Sequence, residues 1–142
     1  MPYTVRPVEE GPWIAVEFHG PLHPADMVAA RREGASLNPG GRYRNVLIDF
    51  SEVSEFVFTL EARDAIRAVN RERAALLDGS RCALVYTSGT VGFIARLVAY
   101  TSGLNTEFRH FEQRGEAERW LSGEQPGTGR LLSTRRTVNV GC

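Results

Sequence analysis

Asn45-Val-Leu-Ile-Asp-Phe-Ser-Glu-Val-Ser-Glu-Phe56, followed by Val57-Phe58-Thr59 and Leu60-Glu61-Ala62-Arg63, is the stretch whose reading decides the fold. Val46 to Phe50 is a short, nearly continuous apolar run, the pattern of a central strand covered on both faces. Ser51 to Glu55 reads as an acidic turn, and Phe56-Val57-Phe58 as a short apolar bulge after it. From Thr59 the spacing of Ala62, Ile66, Val69 and Leu76 predicts a helix to Leu77, with Arg63, Asp64, Arg67, Arg71 and Glu72 on its other sides. Thr59 suits its N-cap and Glu61 its first turn. Asp78-Gly79 closes it. Strand, polar loop and helix in that order form the unit from which parallel sheets are built.

Working outward, Cys82 to Tyr86 is a second apolar run and hence a second central strand. Thr87-Ser88-Gly89-Thr90 is a polar loop, and Val91 to Ser102 a helix expected to bury Phe93, Ile94, Leu97 and Val98. Gly103 suits the C′ position. Glu107 to Phe111 alternates as a last strand, and Arg114 to Ser122 is a short helix with Ala117, Trp120 and Leu121 inward. Toward the N-terminus, Pro24 and Asp26 open a helix over Ala25 to Ala35, with Met27, Ala30 and Gly34 near one face. Tyr3 to Val8 and Trp13 to Phe18, split by the turn residues Glu9-Glu10-Gly11-Pro12, read as an antiparallel hairpin that His19-Gly20-Pro21 ends. The order predicts an α/β fold with a mixed sheet of about five strands and about four helices, its later strands parallel. Residues 1–123 form the expected domain. Residues 124–142 read as a flexible tail, with Arg130, Arg135 and Arg136 and no acidic residue from Gln125 on. Its Arg136-Thr-Val-Asn-Val segment could instead add to a sheet edge.

Composition bounds the function. At 142 residues the chain suits one core, and 42% apolar with 24% charged residues is ordinary for a globular protein. Seventeen acidic residues balance 17 basic ones, so no global charge draws the chain to nucleic acid or an anionic membrane. All the basic residues are arginine. That excludes a Schiff-base lysine, a lysine general base and a phosphate-loop lysine. Cys82 and Cys142 are too few and too far apart for a metal site or disulfide framework, and a reducing, cytoplasmic setting fits. Met1 to Arg6 has no apolar signal core, and Val91 to Tyr100 is too short to span a bilayer. Cys142 is not expected to be a prenylation signal, because a prenylated cysteine lies four from the end. No cofactor is expected.

The runs Val46-Leu-Ile-Asp-Phe-Ser-Glu-Val, Cys82-Ala-Leu-Val-Tyr and Ala95-Arg96-Leu97, with Phe108 to Leu121 ending in Glu116-Ala117-Glu118-Arg119-Trp120-Leu121, resemble the STAS domain family in order and spacing. The likeness is to its SpoIIAA-like branch and covers about Tyr3 to Leu121. The resemblance implies a mixed sheet flanked by helices, and regulatory or binding work without catalysis. In the anti-sigma-factor antagonists of this family, an Asp-Ser-Ser-Gly-like motif after the central strand carries a serine that a partner kinase phosphorylates. Val57, Phe58, Thr59 and Leu60 stand there, without the acid, serine or glycine. Thr59 could take phosphate at a helix N-terminus, and its simpler role is capping.

Other candidates each have two readings. Asp49, Ser51, Glu52, Ser54 and Glu55 could hold a cation or act as acid and base, or serve only as turn residues. Thr87, Ser88, Gly89 and Thr90 offer helix-start N–H groups to an anion, with Arg96 two turns on, or simply begin the helix. Both groups fall at the strand ends where open α/β sheets bind ligands. His19 and His23 are four apart, but Pro21 and Pro24 argue against one helix bearing both as a metal pair. His110 reads as a half-exposed strand residue and Cys82 as core. Phe56, Val57 and Phe58 either plug the core or shape an apolar pocket or partner patch. The expected function is a non-enzymatic protein-interaction domain contacting its partner through Ser51, Glu55, Phe56, Phe58 and Thr59. The alternative is a carrier or sensor of a small apolar or anionic ligand with a pocket like that of CRAL-TRIO domains, lined by Phe56 and Phe58. A hydrolase or transferase would need a histidine beside Ser51 or Asp49.

Overall fold

The computed structural model describes residues 2–87 and 89–123. The expected tail over 124–142 lies outside the described residues. Among the described residues nine elements follow one another: β1 (Tyr3–Val8), β2 (Trp13–Leu22), α1 (Pro24–Leu37), β3 (Asn45–Phe56), α2 (Leu60–Leu77), β4 (Ser80–Val85), α3 (Gly89–Tyr100), β5 (Thr106–Phe111) and α4 (Arg114–Leu121). The strands lie in one sheet in chain order, β1-β2-β3-β4-β5. The β1–β2 hairpin is antiparallel, pairing Val8 with Trp13, and the three remaining pairings are parallel. This is the expected mixed α/β architecture.

Alternation along the strands divides the interior in two. On one side Ile14, Phe18, Phe50 and Leu84 meet Met27 and Ala30 of α1, Ile66 of α2, and Val91, Ala95 and Ala99 of α3. On the other, Ala15, Leu47, Ala83 and Val85 meet Ala117, Trp120 and Leu121 of α4. One face thus carries three helices and the other a single short one.

Three local readings change. The segment Ser51 to Glu55 is strand, not turn, and β2 also runs on through His19-Gly20-Pro21 to Leu22. Gly20 pairs with Val53 and Leu22 with Phe56, after register shifts between Glu17 and His19 and between Gly20 and Pro21. These irregularities bring Phe50, Val53 and Phe56, spaced by three, all into the core. A strict period of two conceals such a strand, and Gly20, at φ 69°, supplies the backbone freedom beside it.

The second change is the face of α3. Its buried residues are Val91, Gly92, Ala95 and Ala99, whereas Phe93 is 60% exposed and Leu97 42%. Ile94 and Val98 are only partly buried. The helix is apolar nearly all round, so its periodicity selects no side. Close approach decides instead. A Cβ at Gly92 would sit 2.2 Å from the Tyr86 ring, so the missing side chain lets the small-residue face settle on the sheet.

On α2, Asn70 takes a core place that the spacing gave to Val69, which is only half-buried. Asn70 can do so because its amide is paired on both sides: Nδ2 donates to Ser102 O at 2.8 Å, and Oδ1 accepts from Arg31 Nε at 2.6 Å.

Candidate functional site

Because β3 and β4 are parallel neighbours, the segments leaving them share the carboxyl-end edge of the sheet. Ser51, Ser54 and Glu55 are exposed on the extended part of β3. Phe56 is buried, its ring stacked 5.4 Å from Phe50, which in turn stacks 5.7 Å from Phe18. Phe58 is partly buried against the same cluster. Of this trio only Val57 is exposed, and Leu60 beside it is 69% exposed. Thr59 Oγ1 accepts from Ala62 N at 3.2 Å, the geometry of an N-cap.

Thr87, Gly89 and Thr90 are exposed, as is Arg96; Ser88 lies outside the described residues. Facing outward on α3, Phe93, Leu97 and Tyr100 form an apolar stripe at i, i+4 and i+7. Phe93, Leu97 and Tyr100 thus point to solvent while Gly92, Ala95 and Ala99 are buried.

Strand pairing sets His19 opposite Glu52, one residue from Ser51. Among the described residues no hydrogen bond joins His19 to Ser51, and both are exposed. His23 begins α1, its backbone N–H donating to Asp26 Oδ2 at 3.3 Å. His110 stacks on Tyr86 with centroids 3.9 Å apart, and its Nε2 lies 3.0 Å from Tyr86 O. Burial raises the Tyr86 phenol above its ordinary value, so it stays neutral. Among the described residues no three His, Cys, Asp or Glu side chains gather as metal ligands, and no helix is long and apolar enough to cross a membrane.

Asp49 is occupied on the α4 side of the sheet. Its Oδ1 accepts from Ser51 N at 2.9 Å, and its Oδ2 lies 3.4 Å from Arg114 Nη1. Arg114 also pairs with Glu17 and, at 3.2 Å, with Glu118. The Arg114 hydrogen bond holds the Glu17 carboxyl below its ordinary range, against the opposing effect of burial. Three carboxylates around one guanidinium make a clamp fastening α4 to β2 and β3.

Sequence reasoning missed a cavity between the three-helix side and the sheet. It measures about 140 Å³ and is lined by Val16, Ile48, Phe50, Leu84, Ala95 and Ala99 among others; neither Phe56 nor Phe58 is among them. Arg31, Asn70, Arg73 and Cys82 also reach it. The α1 and α2 helices approach each other closely, whereas α2 and α3 do not, which leaves the space between them. Cys82 is fully buried there, and desolvation pushes its thiol up to about 12, so it is a neutral wall residue. The signal for Arg31 was its spacing: it follows Met27 by four and precedes Gly34 by three, on the face that Met27, Ala30 and Gly34 share.

A family model described as SpoIIAA-like matches residues 13–122 of the chain. No curated protein matches it. Among solved structures, the chain is similar to an uncharacterized protein of the DUF3478 family with a SpoIIAA-like fold, from Shewanella loihica PV-4. The two are 18% identical, with a TM-score of 0.58, over 84% of this chain and 91% of that one.

Proposed function

This chain belongs to the SpoIIAA-like family, and from that premise we propose that it is a non-enzymatic regulatory domain working by contact with a protein partner. The observation that supports the reading is the outward stripe Phe93, Leu97 and Tyr100 on α3, with Val57 and Leu60 exposed as well. Contiguous large apolar residues left in water mark interaction surfaces, since covering them on a partner releases about 25 cal/mol per Å². The contact surface thus moves from the predicted residues toward α3: Phe56 is spent in the core, while Ser51 and Glu55 remain available as a polar rim. Thr59 acts as a cap in this reading and the phosphoserine switch is absent, consistent with Val57 and Phe58 occupying the motif's place. A cytoplasmic setting belongs to the same reading, supported by Cys82 as a buried free thiol.

A photo-crosslinking residue at Phe93 is the test, with one at the exposed Arg71 of α2 as control. The expected result is a discrete adduct from position 93 that Leu97→Glu abolishes, and none from position 71. Equal adducts at both positions, or none at 93, overturn the reading. A second reading, binding of a small molecule, is favoured by the apolar cavity.

A further inference from the structure

We propose that the cavity beneath α1, α2 and α3 binds a compact apolar monocarboxylate, its body held by the aliphatic and aromatic walls and its carboxylate paired with Arg31. The inference rests on the second reading above, that the cavity holds a small molecule, and specifies the chemistry of that molecule.

Size comes first. A cavity of about 140 Å³ is close to the roughly 150 Å³ apolar void that takes up benzene. One aromatic ring or a chain of about six carbons fits that space. The walls are overwhelmingly apolar, so a sugar or nucleotide would lose its hydrogen bonds to water with little in return.

Charge comes second. Arg31 Nε is committed to Asn70 Oδ1 at 2.6 Å, but its Nη2 is buried with no hydrogen-bond partner. No carboxylate among the described residues forms an ion pair with Arg31 or with Arg73, which lines the same cavity. Arg73 donates instead to the Asn38 carbonyl. Burial, and next the neighbouring Arg73 charge, lower Arg31 to about 10, so it stays protonated at neutral pH but poorly compensated. A guanidinium whose Nη2 is buried without an anion is costly, and a carboxylate matches its planar donors. Asn70 fixes the head group's direction, because its other amide edge is anchored on Ser102 O at 2.8 Å. One buried donor nitrogen left unmet in an apolar chamber suits one negative charge. A phosphate dianion would bring more acceptors than the walls can satisfy.

The experiment titrates the full chain with benzoate and hexanoate, and in parallel with benzyl alcohol and 1-hexanol, following backbone amide shifts of Cys82, Ala95 and Ala99. Benzoate or hexanoate should saturate with a Kd of about 1 mM or tighter and move those amides. Arg31→Met should weaken the carboxylates by roughly 30-fold, as loss of a buried charge partner does, and leave the alcohols nearly unaffected. Ala99→Leu, which fills the cavity and keeps both arginines, should block all four probes; it holds the test open if Arg31→Met does not fold. Alcohols binding as well as carboxylates overturn the carboxylate inference and leave the small-molecule reading standing. No saturable binding of any probe overturns both. Carboxylate binding that survives Ala99→Leu also overturns the inference, because the anion is then held elsewhere.

Discussion

On one side of the sheet, α4 lays Trp120 against Phe111 with the guanidiniums of Arg81 and Arg109 over its ring, 5.2 and 4.6 Å from the centroid. On the other, three helices leave a partly open cavity of about 140 Å³ against the sheet. The side with the least helical cover is the more tightly fastened. Arg109 is only 3% exposed and pairs with Glu107 at 3.3 Å, while Arg114 clamps the start of the helix to two strands. Trp13 Nε1 is buried there without a partner, a local cost that the surrounding packing outweighs. The difference teaches where stability and function reside. A short helix must use every side chain to hold its face, whereas three helices can leave a gap and still close the core.

Trp120→Ala gives the largest expected effect. Losing a buried indole and its two stacked guanidiniums should cost about 3–5 kcal/mol in urea unfolding. A loss under about 1 kcal/mol would break the comparison, since the α4 side would then not be the anchor. Next is a matched pair. Ala117→Leu, at a fully buried position against the sheet, should destabilise by about 1–3 kcal/mol through overpacking. Ala99→Leu, made into the cavity, should be neutral or stabilise by up to about 1 kcal/mol. Equal losses at the two sites would mean that the gap cannot accept atoms.

Thr59→Ala should remove about 1 kcal/mol by leaving the Ala62 N–H uncapped, and Thr59→Ser should restore most of it. The smallest effect is electrostatic. The Glu17 carboxyl is lowered in the folded state from an ordinary 4.5, so its contribution is present above that pH and lost as pH falls through the lowered value. Glu17→Gln should therefore be less stable than the parent at neutral pH, by under about 1 kcal/mol for this partly solvated pair. The gap should close as acid unfolding is followed below pH 4.5.

Much of the fold was legible because its central strands are written as apolar runs. Val46 to Phe50 and Cys82 to Val85 can hardly be anything but strands covered on both sides. What was hidden had specific causes. Ser51 to Glu55 carries the polar residues of a turn, but bulges turn its sparse apolar residues inward at intervals of three. The face of α3 could not be chosen from an all-round apolar sequence, and the deciding contact, Gly92 on Tyr86, joins residues whose packing only the folded chain reveals. The cavity was hidden for a similar reason. Arg31 reads as one more helical arginine until α2 brings Asn70 and Arg73 beside it.

The sheet's strand order has a consequence for synthesis. Strands stand side by side in the order in which the ribosome releases them, so each new strand can join the growing edge without displacing an earlier one. The three-helix side can likewise assemble piece by piece as each connection emerges. The α4 side cannot, because Trp13, Leu47 and Ala83 wait for α4 to cover them. Until Arg114 to Leu121 leaves the exit tunnel, the sheet face that α4 covers stays bare and apolar.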